Sequence, residues 1–188
     1  MASNNAPAPY HPFLTIGGIA YDLAHLDPVT FRTPSAKLGR DITTWCRFTT
    51  HTFSRSPETG EAAHLMDEGK RPRVFCLDRY RLSFHLSDVI TELTNPGRYV
   101  WETASERNWL HRAEIEVMKG GARVTYQVYF AIKKARSSDP FDVEMTVESA
   151  YAFDSLRPPK LRGRTVIAGL LTATVEGRKL RTQVPGKR

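Results

Sequence analysis

The sequence predicts an α+β protein that is mostly β: an antiparallel meander with strands near 109–118, 122–133, 141–153 and 165–175, and one short helix near 88–94. Three observations carry that reading. From Trp109 to Met118 the residues alternate, with Trp109, His111, Ala113, Ile115 and Val117 on one face and Arg112, Glu114 and Glu116 on the other. A period of two belongs to a strand buried on one side. Gly120-Gly121 follows, the pair that suits the centre of a two-residue hairpin turn, where both residues take positive φ. Val124, Tyr126, Val128, Phe130 and Ile132 then resume the alternation. Phe141, Val143, Met145, Val147, Ser149, Tyr151 and Phe153 repeat it after the polar Ser137-Ser138-Asp139-Pro140. Centring the turn on the two glycines pairs Val117 with Val124, Ile115 with Tyr126, Ala113 with Val128 and His111 with Phe130. A slip of one residue would turn all of them to the wrong face.

In chain order, residues 1–12 are polar, carry Ala6-Pro7-Ala8-Pro9 and read as a flexible arm. Residues 13–176 read as a single globular domain and 177–188 as a basic tail. Ile16-Gly17-Gly18-Ile19 makes a short hairpin within 13–26, closed by Asp27-Pro28. Short strands follow at 29–32 and at 43–53, the latter rich in threonine and aromatic residues. Residues 54–73 are polar, contain Pro57, Gly60, Gly69 and Pro72, and read as a long surface loop. Tyr80, Leu82, Phe84 and Leu86 alternate with Arg79, Arg81, Ser83 and His85, as in a strand. Ser87 stands where an N-cap would, Asp88 favours the positive end of a helix, and Asn95-Pro96 closes the segment. A strand at 99–102 leads into the meander. Residues 165–175 are rich in Val, Ile, Thr and Leu and make a last strand, although Leu170-Leu171 also suits a helix and periodicity does not decide.

A chain of 188 residues is expected to fold as one domain and to bury roughly 70% of its unfolded surface, enough to need neither metal nor disulfide. Its two cysteines, Cys46 and Cys76, make no disulfide framework, so both thiols are expected reduced in a cytoplasmic protein. The polar N-terminus gives no secretory signal, and no run approaches the roughly 18 apolar residues of a membrane span. Charge is unevenly placed. From Ser155 onward there are nine basic residues (Arg157, Lys160, Arg162, Arg164, Arg178, Lys179, Arg181, Lys187 and Arg188) against Glu176 alone. The whole chain is +7, so the first 154 residues are close to neutral. Charge concentrated in this way attracts polyanions or an acidic protein surface.

The candidate chemistry follows from these placements. Cys46 with His51, and Cys76 with His85, lack the tight spacing of zinc sites, so no metal is expected. His111 is a candidate proton carrier, since its near-neutral pKa suits transfer. Ser149 and Tyr151 put two hydroxyls at the end of the third strand. If Phe141 opposes Ile132, His111 lies on the order of 20 Å from Ser149. His85 is then the histidine able to serve Ser149. The basic stretch Arg157, Lys160, Arg162 and Arg164, continued by Arg178, Lys179 and Arg181, suits phosphates, and Trp101, Trp109, Tyr126 and Tyr129 offer stacking surfaces. No P-loop, dinucleotide fingerprint, Gly-x-Ser-x-Gly or His-Glu-x-x-His occurs, which argues against nucleotide-cofactor enzymes and metalloproteases.

A short helix, then an antiparallel meander, with Val147-Glu148-Ser149-Ala150-Tyr151 ending a late strand and basic residues after it, resembles the barnase/EndoU/RelE-like ribonuclease toxins of bacteria over residues 80–175. The resemblance implies a helix packed on an antiparallel sheet. It implies that Ser149 and Tyr151 bind or orient the scissile phosphate, that His85 or His111 moves protons, and that Arg157 or Arg164 stabilises the pentavalent charge. The first 78 residues have no counterpart in the minimal toxins. The expected function is a small nucleic-acid-binding protein, for RNA rather than DNA, with a metal-independent endoribonuclease of a bacterial mobile element as its enzymatic version. The alternative is a non-enzymatic interaction module, an inhibitor or adaptor, that docks its basic C-terminal region on an acidic partner. A third reading is a β-domain whose apolar sheet face lines a ligand pocket.

Overall fold

The hairpin centred on the two glycines is the middle of a seven-stranded sheet. A computed structural model describes residues 10–103, 111–152 and 161–178. The first part of the chain holds β1 (Leu14–Ile16), β2 (Ile19–Tyr21), β3 (Val29–Ser35) and β4 (Arg40–Phe48). Next come β5 (Ser54–Arg55), β6 (Leu65–Met66), β7 (Pro72–Phe75), α1 (Leu77–Ser83) and α2 (Leu86–Thr94). The second half holds β8 (Tyr99–Thr103), β9 (His111–Lys119), β10 (Ala122–Lys134), β11 (Val143–Ala152), β12 (Leu161–Val166) and α3 (Ile167–Val175). The large sheet has the order β12-β8-β9-β10-β11-β4-β3. Gly120 and Gly121 take φ of 57° and 82°. Val117 then opposes Val124, Ile115 opposes Tyr126, Ala113 opposes Val128 and His111 opposes Phe130, the register expected from the turn.

The sheet is mixed rather than a pure meander. β4 enters beside β11 in parallel, with Met145 opposite Cys46 and Val147 opposite Phe48. Strand β3 then folds back on β4 as an antiparallel edge. The segment 165–175 is corrected in kind: the strand stops at Val166 and Ile167–Val175 is a helix. Ile167, Leu170, Leu171, Thr172 and Ala173 are all buried. A helix this apolar hides its signature, because it is covered on most sides. Its stop was present in the sequence. Gly177 takes φ of 67°, and the amides of Gly177 and Arg178 return to the carbonyls of Thr174 and Ala173. That is the Schellman closure, which glycine permits without steric cost.

Two further corrections precede the meander. The alternation at 79–86 is not a strand. Leu77–Ser83 is helical, with Leu82 and Ser83 buried and Phe84 exposed. The helix expected at 88–94 starts earlier, at Leu86, and Ser87 does not cap it, since its hydroxyl donates to the Phe84 carbonyl. The supposed loop at 54–73 contains β5 and β6 and leads into β7, which together form a small three-stranded sheet.

Helices α2 and α3 cover one face of the large sheet, and α1 packs against β11. Tyr126, Phe130, Met145, Val147, Val89, Leu93, Ile167 and Leu171 meet there without exposed surface to speak of. Each such side chain contributes on the order of 2–3 kcal/mol through removal of apolar area from water.

Strand β11 breaks its own alternation. Phe130 opposes Val147 while its neighbour Tyr129 opposes Ser149, so Glu148 is an extra, bulged residue. A bulge changes the parity of everything beyond it. Ala150 and Ala152 therefore turn toward the helices, where Val128 and Tyr126 oppose them. The bulge sits where β4 leaves β11. There the Thr49 amide donates to the Val147 carbonyl at 3.0 Å and the Thr49 hydroxyl donates to the Glu148 carbonyl at 2.9 Å.

Candidate nucleic-acid interface

Opposed residues of neighbouring strands share a face. On the side away from the helices, one row runs across five strands. Arg164 on β12 opposes Trp101 on β8, Trp101 opposes Arg112 on β9, Arg112 opposes Tyr129 on β10, and Tyr129 opposes Ser149 on β11. At the usual strand separation this row is about 19 Å long. Tyr99, Gln127 and Tyr151 flank it on the same face. Cations and rings interleave along it. The Arg164 guanidinium lies 4.6 Å from the Tyr99 ring centre, that of Arg112 lies 5.3 Å from Trp101, and that of Arg79, reaching in from α1, lies 5.3 Å from Tyr151. Tyr129 and Tyr151 stack with centroids 5.4 Å apart.

The row is open at its ends and closed in the middle. Arg164 and Tyr99 are exposed, and Ser149 and Tyr151 are half-buried. Arg112 and Tyr129 retain only 6% and 7% exposure. Arg112 is held by Glu114 at 3.1 Å, and the Tyr129 hydroxyl donates to Gln127 Oε1 at 2.7 Å. Burial first, then the neighbouring Tyr151, raises the Tyr129 phenol well above its ordinary range. It stays protonated and donating. Toward β4 the same face loses its free charge, because Glu144 takes both Arg47 at 3.3 Å and Lys133 at 2.8 Å.

The expected catalytic group is not assembled. Ser149 and Tyr151 were expected on the apolar face, and the Glu148 bulge turns them to the opposite one. His111 and His85 stay on the helix side. The His111 ring stacks on Phe130 at 5.8 Å, and its Nδ1 is buried without a partner. Burial depresses its pKa to about 4, against the opposing pull of Glu102, so it is neutral near pH 7. His85 precedes α2, with Nδ1 3.1 Å from Asp88 Oδ2 and its ring 6.4 Å from Tyr126. The expected 20 Å gap also fails. Ile132 opposes Met145 rather than Phe141, which brings His111 level with Val147. Ser149 and His111 are separated by the sheet itself.

Of the basic residues, Arg162 and Arg164 lie on edge strand β12. Arg164 has no ion pair among the described residues. Arg178 pairs with Glu176 at the far end of α3, where Lys37 shares the carboxylate. It does not join the row. Arg157, Lys160, Lys179 and Arg181 lie outside the described residues, as does Trp109.

Arg79 and Arg73 escaped the sequence reading. Arg79 was taken for the solvent side of a strand and Arg73 for part of a loop. The available signal was the density of arginines among aromatic residues from Arg71 to Arg81. A Ser–His pair also escaped it, with His25 Nε2 2.7 Å from Ser83 Oγ. Ser83 is only 1% exposed and donates to the Tyr80 carbonyl, so this pair is structural rather than nucleophilic. Between α2 and β9 lie two adjoining clefts of about 520 Å³ each. Asp88, Glu92, Glu114 and Glu116 line them. Arg98, paired with Glu92 at 3.5 Å, and Trp101 of the outer row line the first of them as well.

Fold and face together define a small α+β protein with α2 and α3 on one side of a mixed sheet and interleaved cations and aromatic rings on the other. A model of the YjaZ family matches residues 13–175, and the chain belongs to that family. No curated protein matches it, and no solved structure does. No helix among the described residues is long and apolar enough to cross a membrane.

Proposed function

We propose that the protein binds single-stranded RNA along the outer face of its large sheet. The supporting observation is the row from Arg164 to Ser149, with three cation–π pairs on the same face. Single strands offer unstacked bases to aromatic rings and phosphates to guanidinium groups, whereas duplexes hide their bases. The open ends, Tyr99 with Arg164 and Tyr151 with Arg79, are where a strand gains purchase. The buried Arg112 supplies field rather than contact. The endoribonuclease version keeps Ser149 and Tyr151 beside a cation but leaves His85 and His111 on the opposite side, so binding is favoured over cleavage.

The test is fluorescence anisotropy with a labelled single-stranded oligoribonucleotide over a salt series. The slope of log K against log salt should be steep, and Arg164→Ala should reduce it by about 0.7, the contribution of one phosphate contact on a single strand. Binding that ignores salt, or a variant indistinguishable from wild type, would sink the reading. The closed middle of the row favours a second reading, a basic edge docking on an acidic protein. A protein retained in pull-downs after nuclease treatment, and released by Arg162→Ala with Arg164→Ala, would support it.

A further inference from the structure

Arg73 and Arg79 approach each other with no carboxylate between them. Arg73 Nη2 and Arg79 Nη1 both donate to the Ser54 carbonyl, at 2.9 and 2.8 Å. Among the described residues neither has an ion-pair partner. Arg73 spends its other donors on the hydroxyls of Ser54 and Ser56, at 3.1 and 3.0 Å. The acids whose charge reaches Arg73 are spent elsewhere: Asp67 holds His51 Nε2 at 2.9 Å, Arg71 Nε at 2.8 Å and two backbone amides, and Glu68 takes the Thr50 amide and hydroxyl. Two guanidinium groups sharing one neutral acceptor repel, and burial denies them the solvent that would screen the repulsion. Burial is the leading cause that lowers both arginines from their ordinary value, and the charge of Arg79 adds to it at Arg73.

Arg79 also has unspent donors. Its Nη1 serves two carbonyls, of His51 at 3.1 Å and of Ser54, while Nε and Nη2 make no hydrogen bond among the described residues. The Nε–Nη2 edge of a guanidinium is the fork that takes two oxygens of one anion. Close by is a second unspent donor. Tyr126 is fully buried, its hydroxyl has no hydrogen-bond partner, and its ionisation feels Arg79. A buried hydroxyl without a partner is destabilising, and an oxyanion beside it removes that cost. Arg79 and Tyr151 are both half-buried, so an anion has a way in.

We infer that Arg79, backed by Arg73 and joined by the Tyr126 hydroxyl, is a binding site for a tetrahedral oxyanion of the phosphate class. The site rests on the RNA reading only for the source of its phosphate, which is either a free ion or the end or backbone of a bound strand.

The experiment is thermal unfolding and calorimetric titration of the full chain with inorganic phosphate, against sodium chloride at matched ionic strength. Phosphate should raise the unfolding temperature of the wild type where chloride does not. Arg79→Lys keeps the charge and loses the fork, and should weaken phosphate binding at least about tenfold. Tyr126→Phe should weaken it about threefold while melting no lower than wild type, since it discards an unsatisfied group. That variant guards against loss of binding through misfolding. A wild type indifferent to phosphate, or an Arg79→Lys chain that binds as tightly as wild type, would overturn the site. Competition separates the sources. If inorganic phosphate displaces the labelled oligoribonucleotide, the strand's phosphate occupies the site. If phosphate binds and RNA affinity is unchanged, or absent, a free ion is the ligand and the RNA proposal is judged separately.

Discussion

The two faces of the large sheet are made by the same strands and obey different rules. On the helix side, Phe130, Met145, Val147 and Tyr126 lose all contact with water against α2 and α3. On the other side the rows hold arginine, tryptophan, tyrosine and serine, paired by cation–π contact, hydrogen bond and ion pair. The first face derives its stability from removed apolar area and tolerates few changes. The second spends less of the protein's stability, which is what the proposed RNA-binding face requires. The difference teaches that parity along a strand decides which face a residue serves. A single bulge at Glu148 moves Ser149 and Tyr151 from one regime to the other.

The most severe way to break that division is to shift the end of β11 by one residue. An alanine inserted between Ser149 and Ala150 should drive Tyr151 toward the core and expel Ala150 and Ala152. Forcing a tyrosine with an unpartnered hydroxyl into space filled by an alanine should cost about 3–6 kcal/mol in urea unfolding. A near-neutral insertion would mean that the register slips at no cost and that the faces are not distinct. Phe130→Ala leaves parity intact and empties the core, and should cost about 3–5 kcal/mol by the same measurement.

A titration sharpens the contrast at His111, the one imidazole on the apolar face of the central hairpin. Unfolded, it takes up a proton below its ordinary 6.5; folded, burial resists protonation down to about 4. The unfolded state therefore gains relative stability as pH falls through that window. Wild type should lose about 2 kcal/mol more than His111→Leu between pH 7 and pH 4.5, allowing for partial solvent access. Equal losses would show that the ring is already solvated. The smallest effect belongs to the outer edge. Arg164→Ala should change stability by no more than about 0.5 kcal/mol, since the side chain is exposed and its partner is a surface ring. A large loss there would make Arg164 part of the scaffold rather than of an interface.

The central hairpin was legible in full, because two glycines fixed its turn and every pairing across it is local. The third strand was legible as a strand but not in register. Its parity is set by Thr49, a residue about a hundred positions earlier that bonds the Val147 and Glu148 carbonyls. Residues 79–86 were misread because Arg-Tyr-Arg-Leu-Ser-Phe alternates by chance, and only packing of α1 against the tip of β11 selects the helix. The candidate site shared both fates. Arg164, Ser149 and Tyr151 were picked out by chemistry, but their common face was invisible. Arg79 was missed with its helix, and the histidines proposed as partners lie across the sheet.

Local pattern alone fixed the hairpin, the greasy face of its two strands and the gathering of positive charge late in the chain, since each depends on neighbours within a few residues. Assembly settled which way the last hydroxyls point, whether 167–175 coils, and which cations meet which rings. Those outcomes depend on partners dozens of residues distant, whose approach no periodicity encodes.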